Sequence, residues 1–419
     1  MTKPLEGIRV ADFSWFGAGP IAGKALADFG AEVIRVESEV HIDGLRIGQP
    51  VRPGQEGYNA SGYFNNFNPG KKSFLLNMGK EGAREIALRL IEKCDIVLAN
   101  YSPRVTENWG LSYDSLSQAN PKIIAAYMPL QGLWGPHRDY AGFGSLLTAI
   151  AGFNHLSGYP NRPPFGVGTN YPDYTVNCGH AVISIIAALR YREKTGKGQM
   201  IELAQVESTA ATLGTALMDY AINGRNQTRA GNRVPHMSPH GAFRCPDEPR
   251  SHPPAPGQAP DRERWVAIAV ATDEDWAGLC SVAAGQPFAT DPRFQTLLGR
   301  KQNENALEAA ISAWTATEPA KDLAARLQTA GCPAGLVQDA EDVLEHDEHM
   351  KARGYFQFLD HPETGISAYD GPIARLHGTP GATELPAPLF GEHTFDIAVE
   401  TLGYDPDQVA EMVANGILS

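Results

Sequence analysis

The sequence predicts an α/β protein in which a large domain with a mostly parallel β-sheet is joined to a smaller α+β domain. The large domain is predicted because strand-like and helix-like segments alternate over about the first 200 residues, the pattern of strands joined by crossover helices. The smaller domain is predicted by a change at Asn223, where a segment rich in Gly, Pro and Asn precedes a further strand and further helices.

The predicted elements of the large domain follow in order. Gly7–Ser14 forms a strand, Pro20–Phe29 a helix that ends before Gly30, and Glu32–Val36 a second strand. The remaining strands are Asp95–Ala99, Lys122–Tyr127 and Met200–Glu202, and the remaining helices are Lys80–Lys93, Tyr113–Ala119, Tyr174–Glu193 and Leu203–Ile222. Ligands of such sheets bind beyond the carboxyl ends of the strands, so we expect the chemistry there.

In the smaller domain we predict a strand at Trp265–Ala271, after a connector and exposed loop over 223–260. Helices are predicted at Glu274–Ala283, Asn303–Ala316 and Ala320–Ala330. The chain is therefore divided into a first part of the large domain (1–205), a connecting helix or linker (206–225), the small domain (226–335), and a linker and return segment that packs on the large domain (336–419).

Composition and charge disfavour several functions. The net charge of −13 disfavours binding to a polyanion, so we predict neither nucleic-acid nor membrane partners. The sequence has no apolar run of about 18 residues and no apolar signal core near Met1. The five cysteines are widely spaced and odd in number, which suits a reducing compartment. We predict a cytoplasmic protein.

The segment Gly17-Ala18-Gly19-Pro20 separates the first strand from the first helix, and Glu37 follows the second strand. This spacing fits three interpretations. The small residues can form a tight turn that packs the helix on the sheet. With Glu37 as a ribose ligand, they can form a dinucleotide site. They can also bring the backbone close to another phosphate-bearing ligand.

Cations recur near the predicted strand ends, at Arg35, Lys71, Lys72, Arg104 and Arg138. Each alone is consistent with a solvated surface charge. Several of them together would form a clamp for a nucleotide phosphate.

Two histidine pairs have metal-like spacing, but neither predicts a metal site. His236 and His240 lie in a Pro-rich loop, so their spacing does not place them on one face of a helix. His346 and His349 lack a third ligand with a recognisable spacing.

Asp173 stands where a loop enters a long apolar helix, beside Tyr171 and Tyr174. The common role of a carboxylate at such a position is an N-cap, which stabilises a helix by about 1 kcal/mol. The alternative is a nucleophile, since the helix start favours the anion and a dry pocket raises its reactivity.

Together these residues resemble the family III CoA-transferases, the group that includes formyl-CoA:oxalate and carnitine CoA-transferases. The similarity runs from Leu5 to about Leu418 and keeps the order of many short motifs. They include Gly7–Phe13, Ala18–Pro20, Leu26–Ile34, Lys71–Ser73, Trp109–Leu111, Asp173, Lys194–Gln199, Asp291–Phe294, Gly331–Gly335 and Ala352–Phe356. The variant Tyr171-Pro172-Asp173 is most similar to the branch that acts on aryl- or alkyl-substituted succinates, the benzylsuccinate type.

The resemblance implies a Rossmann-like large domain and an interlocked dimer in which each chain threads through the other. It also implies that Asp173 attacks an acyl-CoA thioester, giving a mixed anhydride and CoA thiolate. The thiolate then returns to Asp173, and an acceptor carboxylate repeats the steps in reverse. ATP, a metal and a permanently bound cofactor are not required, and coenzyme A or acyl-CoA is the substrate. Succinyl-CoA is the expected donor.

The resemblance also assigns binding roles. Gly17 and Ala18 are expected to lie along CoA. The candidates for its nucleotide end are Lys71, Lys72, Asn100 and Arg104. The candidates for contacts with the substrate acid are His236, His240 and Tyr171, and the aromatic residues near Asp173 favour a bulky or aryl acid.

The chain departs from the family pattern at several of these positions. Gly17 replaces a residue that is often larger, Glu37-Ser38 stands where a basic residue is common, and the Asn-Phe-x-Pro-Gly motif reads 100–104 as Asn-Tyr-Ser-Pro-Arg. Phe143 occupies the place of the histidine of the related α-methylacyl-CoA racemase. Phenylalanine cannot accept a proton, so the racemase reaction is disfavoured.

Two other functions remain open from the sequence. An NAD-dependent oxidoreductase would use Gly17, Gly19 and Glu37. A non-catalytic CoA-binding subunit would pair with a catalytic homologue in a heteromeric transferase. For the transferase itself we expect a homodimer, with a heteromer as the alternative.

Overall fold

The computed structural model describes residues 3–168, 171–255 and 257–419. The chain divides into two units. The first comprises Met1–Leu156, Phe165–Gln227 and Glu348–Ser419, and the second comprises Ser157–Pro164 and Thr228–Asp347. Within the described residues, no helix is both long enough and apolar enough to cross a membrane.

A parallel sheet forms the centre of the first unit. Its strands are β1 (Arg9–Asp12), β2 (Glu32–Glu37), β3 (Lys72–Leu75), β4 (Ile96–Ala99), β5 (Ile124–Tyr127) and β6 (Gln199–Glu202). Within the described residues these six strands are ordered β3-β2-β1-β4-β5-β6. The order reverses between β1 and β4, the point at which a doubly wound sheet opens a crevice for a ligand. The predicted mostly parallel sheet is confirmed.

Helices cover both faces of this sheet. The helices of this unit up to residue 227, not all of which touch the sheet, are α1 (Ala18–Asp28), α2 (Gly62–Phe67), α3 (Ala83–Glu92), α4 (Pro103–Asn108), α5 (Tyr113–Ala119), α6 (Gly144–Ile150), α7 (Phe153–Leu156), α8 (Cys178–Thr195), α9 (Gln205–Ala211) and α10 (Gly214–Asn223). Val10 and Ile96 pack on one face with Leu26 of α1, and Ala11 and Val97 pack on the other with α3. The strands are buried on both faces, as parallel strands usually are.

The second unit contains an antiparallel sheet and helices around one apolar cluster. Its elements are β7 (His240–Pro249), β8 (Asp261–Ala269), α11 (Asp273–Val282), α12 (Pro287–Thr290), α13 (Leu297–Gln302), α14 (Glu304–Thr315), α15 (Ala320–Thr329) and β9 (Ala334–Leu336). Within the described residues the strand order is β7-β8-β9.

Two predicted elements are wrong. The predicted loop over 223–260 contains β7, whose buried Phe243 and Cys245 pair with β8 although Pro and Arg obscure their alternation. The predicted helix Leu203–Ile222 is two helices, α9 and α10, because the helix is interrupted at 212–213.

The last segment of the chain belongs to the first unit. It contains α16 (Glu348–Arg353), β10 (Phe356–His361), β11 (Gly365–Asp370), α17 (Thr394–Asp396) and α18 (Pro406–Ala414). The amide of His393 donates to the carbonyl of Ser73 in β3 over 3.0 Å. Ile397, Leu402 and Val409 join the same apolar cluster as α3, so this segment completes one face of the sheet.

Candidate active site

A cleft of about 840 Å³ lies beyond the carboxyl ends of β1 and β4. The loop after β1 and the start of α1 contribute 15–18, and the loop after β4 and the start of α4 contribute 100–102 with 104–105. The segment that leads into α6 contributes 140–145. Asp173 and Gln205 also line the cleft, and Asp173 lies against Gly17 of the loop after β1. The cleft therefore occupies the switch point of the sheet.

Asp173 is buried in the wall of this cleft, with 6% of its surface exposed. It opens a π-turn, Asp173–Asn177, that leads into α8. Its Oδ1 accepts a hydrogen bond from Nδ2 of Asn177 over 3.1 Å. Its Oδ2 faces Gly17, since a Cβ built on Gly17 would lie 2.4 Å from that oxygen. Asp173 is thus not the N-cap, a position that Pro172 occupies.

Burial raises the pKa of Asp173 to about 6, against the opposing effect of the hydrogen bond from Asn177. The carboxylate is therefore ionised near neutral pH and yet poorly solvated. Such an anion is more reactive than one in water.

The loop after β1 is shaped around this carboxylate. Phe16 adopts a left-handed backbone with φ 56°, which is uncommon for an aromatic residue, and its ring packs 4.5 Å from that of Phe143. Gly17 follows directly and precedes α1. The absence of a side chain at Gly17 makes room for the carboxylate of Asp173.

Asn100 joins the two loops of the switch point. Its Nδ2 donates to the carbonyl of Trp15 over 2.6 Å, and its Oδ1 accepts from the amide of Trp15 over 2.8 Å. Asn100 lines the cleft, as do Gly17, Ala18 and Arg104. Its amide group, however, is committed to positioning the loop after β1.

The structure does not bring the two predicted lysines to the cleft. Nζ of Lys71 is buried, 2.8 Å from Oδ2 of Asp12 and 3.0 Å from the carbonyl of Pro20. Burial lowers the pKa of Lys71 to about 8, although the anion of Asp12 opposes this effect. Lys72 forms an ion pair of 2.6 Å with Glu32. Arg104 is the only cationic side chain among the described residues that line the cleft.

Glu37 is buried and cannot serve as a ribose ligand in this arrangement. Arg46 contacts both of its carboxylate oxygens, at 2.8 and 2.7 Å, and the hydroxyl of Ser73 donates to it over 2.7 Å. It belongs to a buried ion cluster beneath the loop after β1. The members of this cluster are Asp12, Arg35, Glu37, Asp43, Arg46 and Lys71.

The residues predicted to contact the substrate acid belong to two different units. Tyr171 is 48% exposed, and its ring lies 6.0 Å from that of Phe153. His236 and His240 belong to the second unit, where Nδ1 of His240 contacts the carbonyl of Asn232. Contacts of these residues with a substrate acid stay a prediction.

Sequence reasoning missed Asn177 and Gln205, the polar neighbours of Asp173. Nδ2 of Asn177 lies 3.3 Å from Oε1 of Gln205. The spacing of four residues between Asp173 and Asn177, which places two side chains on one helix face, was the available signal. Gln205 comes close only through the fold.

A parallel doubly wound sheet with a cleft at its switch point places the molecule among the α/β enzymes that bind substrate at that point. The chain belongs to CoA-transferase family III, whose family model matches residues 5–394. It is therefore a CoA-transferase. Phe143 lines the cleft, and no histidine is among its described lining residues.

Known relatives and structures agree with this assignment. The succinyl-CoA–D-citramalate CoA-transferase of Chloroflexus aurantiacus is 31% identical over 419 residues, covering 99% of this chain and 98% of the relative. The succinyl-CoA–L-malate CoA-transferase beta subunit of the same organism is 29% identical, covering 100% and 98%. The crystal structure of a CAIB/BAIF family protein from Brucella suis has a TM-score of 0.82 at 29% identity, covering 96% and 100%.

Proposed function

We propose that this CoA-transferase moves CoA from succinyl-CoA to a free carboxylic acid through a thioester on Asp173. The observation that carries the proposal is a buried carboxylate with a pKa of about 6 in the wall of the cleft. Succinyl-CoA is proposed as donor because relatives that match nearly the whole chain are named for it.

The proposed reaction uses one carboxylate twice. Asp173 attacks the thioester carbonyl and releases CoA thiolate, which leaves a mixed anhydride. The thiolate attacks Cγ of Asp173, releases succinate and forms the aspartyl thioester. An acceptor carboxylate then attacks Cγ and displaces CoA thiolate, which gives a second mixed anhydride. The thiolate attacks the acyl carbon of the acceptor, forms the CoA ester of the acceptor and releases the carboxylate of Asp173. Burial of Asp173 protects the anhydride from water.

The walls of the cleft suggest the orientation of CoA. Arg104 lies in the first turn of α4, just beyond β4, where its guanidinium suits the phosphates of the nucleotide end. Gly17 and Ala18 let the pantetheine arm approach Asp173 without side chains in the way. We leave Lys71 and Lys72 out of this site because Asp12 and Glu32 pair with them.

The acid is proposed to be bulky and partly apolar. Aromatic side chains form part of the cleft wall, with Trp15, Phe16, Tyr63, Tyr101 and Phe143 among them. Such walls favour an aryl or alkyl group over a small polar acid.

The proposed assembly is a homodimer. Ile183 of α8 and Leu217, Met218, Tyr220 and Ile222 of α10 are each more than half exposed, an apolar surface that suits a partner. A relative is named as a beta subunit, so a heteromer with a homologous chain is the alternative. The purified single chain should be active if the assembly is a homodimer, and inactive if it needs a homologous chain as its partner.

Trapping tests the nucleophile. Enzyme incubated with succinyl-CoA and then hydroxylamine should lose activity, and mass spectrometry should locate a hydroxamate on Asp173. The Asp173→Asn variant should show neither turnover nor modification. Normal turnover by that variant would refute the role of Asp173.

A further inference from the structure

We propose that Asn177 decides which oxygen of Asp173 reacts: it holds Oδ1 as the carbonyl oxygen of the acylated enzyme, while Oδ2 alone attacks and is exchanged with substrates. Asn177 is thus a positioning residue before acylation and an oxyanion donor after it. The inference rests on the proposed role of Asp173 as nucleophile.

The two oxygens of Asp173 have different surroundings. Oδ1 accepts a hydrogen bond from Nδ2 of Asn177 over 3.1 Å, and Asn177 itself is fully buried. Oδ2 points to the backbone of Gly17, which lines the cleft. An acyl-CoA that enters through the cleft therefore meets Oδ2 first.

The side-chain amide of Asn177 cannot exchange the places of its oxygen and nitrogen without breaking its hydrogen bonds to Gln205 and Ser208. The carbonyl of Met128 can only accept, so Nε2 of Gln205 donates to it over 2.6 Å and leaves Oε1 of Gln205 as an acceptor. That acceptor faces Nδ2 of Asn177 at 3.3 Å. The hydroxyl of Ser208 donates to Oδ1 of Asn177 over 2.5 Å. The chain of contacts fixes the NH₂ group toward Asp173.

The retained oxygen matters when Cγ of Asp173 is attacked. As thiolate sulfur bonds to Cγ, the C=O electron pair moves onto Oδ1, and collapse breaks the Cγ–Oδ2 bond. Oδ2 then leaves as part of succinate. Attack by the acceptor carboxylate breaks the Cγ–S bond, releases CoA thiolate and places one acceptor oxygen where Oδ2 was. The thiolate then attacks the acyl carbon of the acceptor, and the bond between that carbon and the new oxygen breaks, so the oxygen stays on Asp173. Oδ1 bears negative charge in both attacks on Cγ, and Asn177 already donates to it.

Among the residues that the structure describes, Tyr63 of α2 and Cys178 of α8 are titratable groups that face Asp173. Burial raises the pKa of both, that of Cys178 to about 11, so both are neutral where the enzyme works. Loss of the Asn177 hydrogen bond would therefore act on Asp173 directly, and would raise its pKa.

An isotope experiment tests the inference. The enzyme turns over many times with succinyl-CoA and succinate labelled with heavy oxygen in every carboxyl position. Mass spectrometry then counts the labels on the peptide that contains Asp173. We expect one label in the wild type, because only Oδ2 exchanges. Two labels would overturn the inference but leave the nucleophile intact, whereas no label would refute the proposed function itself.

The Asn177→Leu variant should acquire two labels, because its carboxylate can rotate between attacks. Its turnover should fall roughly 100-fold, the effect of losing one oxyanion donor. The acid limb of its pH–rate profile should move to higher pH. Ser208→Ala removes the hydrogen bond that holds Asn177 and leaves Asp173 untouched. Asp173 of this variant should acquire the second label in a smaller fraction of molecules than in Asn177→Leu. It provides the test if Asn177→Leu does not fold.

Asn68→Leu is the matched control, since Asn68 is equally buried and donates one hydrogen bond, to the carbonyl of Phe64 over 2.9 Å. It should keep one label and an unchanged pH profile. A single label in both Asn177→Leu and Ser208→Ala would show that Asn177 does not select the oxygen.

Discussion

At the scale of single residues, the structure couples reactivity to instability at Asp173. The folded protein raises its pKa from 3.8 to about 6 by burial, so the ionised form is less favourable folded than unfolded. Below the ordinary pKa of 3.8 the side chain is neutral in both the folded and the unfolded protein, so it costs no stability there. The free energy of unfolding falls as the pH rises through the folded pKa of about 6, and near neutral pH the whole cost of the buried charge is present.

Asp173→Asn should therefore stabilise the protein while it abolishes turnover. Near neutral pH we expect a gain on the order of 2 kcal/mol in the free energy of unfolding, because a neutral amide has no charge to desolvate. Chemical denaturation across pH measures it. The gain should vanish below the ordinary pKa of 3.8. An equal gain at all pH values would contradict this account.

At the scale of elements, the site depends on two loops that begin at neighbouring strands. Asn100 follows β4 and binds both polar groups of the Trp15 backbone after β1. Trp15 also packs against Tyr101, with ring centroids 5.4 Å apart. The loop that carries Phe16 and Gly17 is thereby fixed to its neighbour.

Asn100→Ala should release this loop. We expect an increase in KM for succinyl-CoA, and a loss of about 1–3 kcal/mol in the free energy of unfolding because buried backbone groups lose their partners. Steady-state kinetics and urea denaturation measure these effects. Asn120→Ala is the control, since Asn120 donates to the carbonyls of Ile91 and Cys94 away from the cleft. The Asn120→Ala variant should lose a similar amount of unfolding free energy and keep the wild-type KM for succinyl-CoA.

Sequence reasoning predicted the mostly parallel sheet, because strand-like and helix-like segments can be recognised from local sequence. The choice of Asp173 as nucleophile came from the family resemblance and stays a prediction. Sequence reasoning did not reach β7, whose strand character depends on pairing with β8. It also placed Lys71 at the nucleotide end, whereas the fold buries that ammonium against Asp12. A surface cation and a buried one look alike in sequence, because only distant residues provide the partner.

At the scale of the whole molecule, Ile183 and Ile186 of α8 and the apolar side chains of α10 remain exposed in the single chain, whereas Ile185 and Leu189 of α8 are buried in the core. Exposed apolar patches of this kind are usually covered by a partner. The edge strand β6 adds Met200, which is 43% exposed.

Analytical ultracentrifugation should give the mass of a dimer for the wild type. Replacing Leu217 and Ile222 together by Glu should shift the protein to monomer, because charges would be buried at the interface. Leu298→Glu is the control at a residue that is equally exposed in the second unit. A wild-type chain that sediments as a monomer would contradict the proposed dimer.

The buried ion cluster constrains how this enzyme can change over time. Asp12, Glu37 and Asp43 balance Arg35, Arg46 and Lys71, and every member is at most 5% exposed. Loss of any member would leave an opposite charge sealed without a partner, at a cost of about 3–5 kcal/mol. We therefore expect single substitutions at these positions to be destabilising, and paired substitutions that preserve the charge balance to be better tolerated.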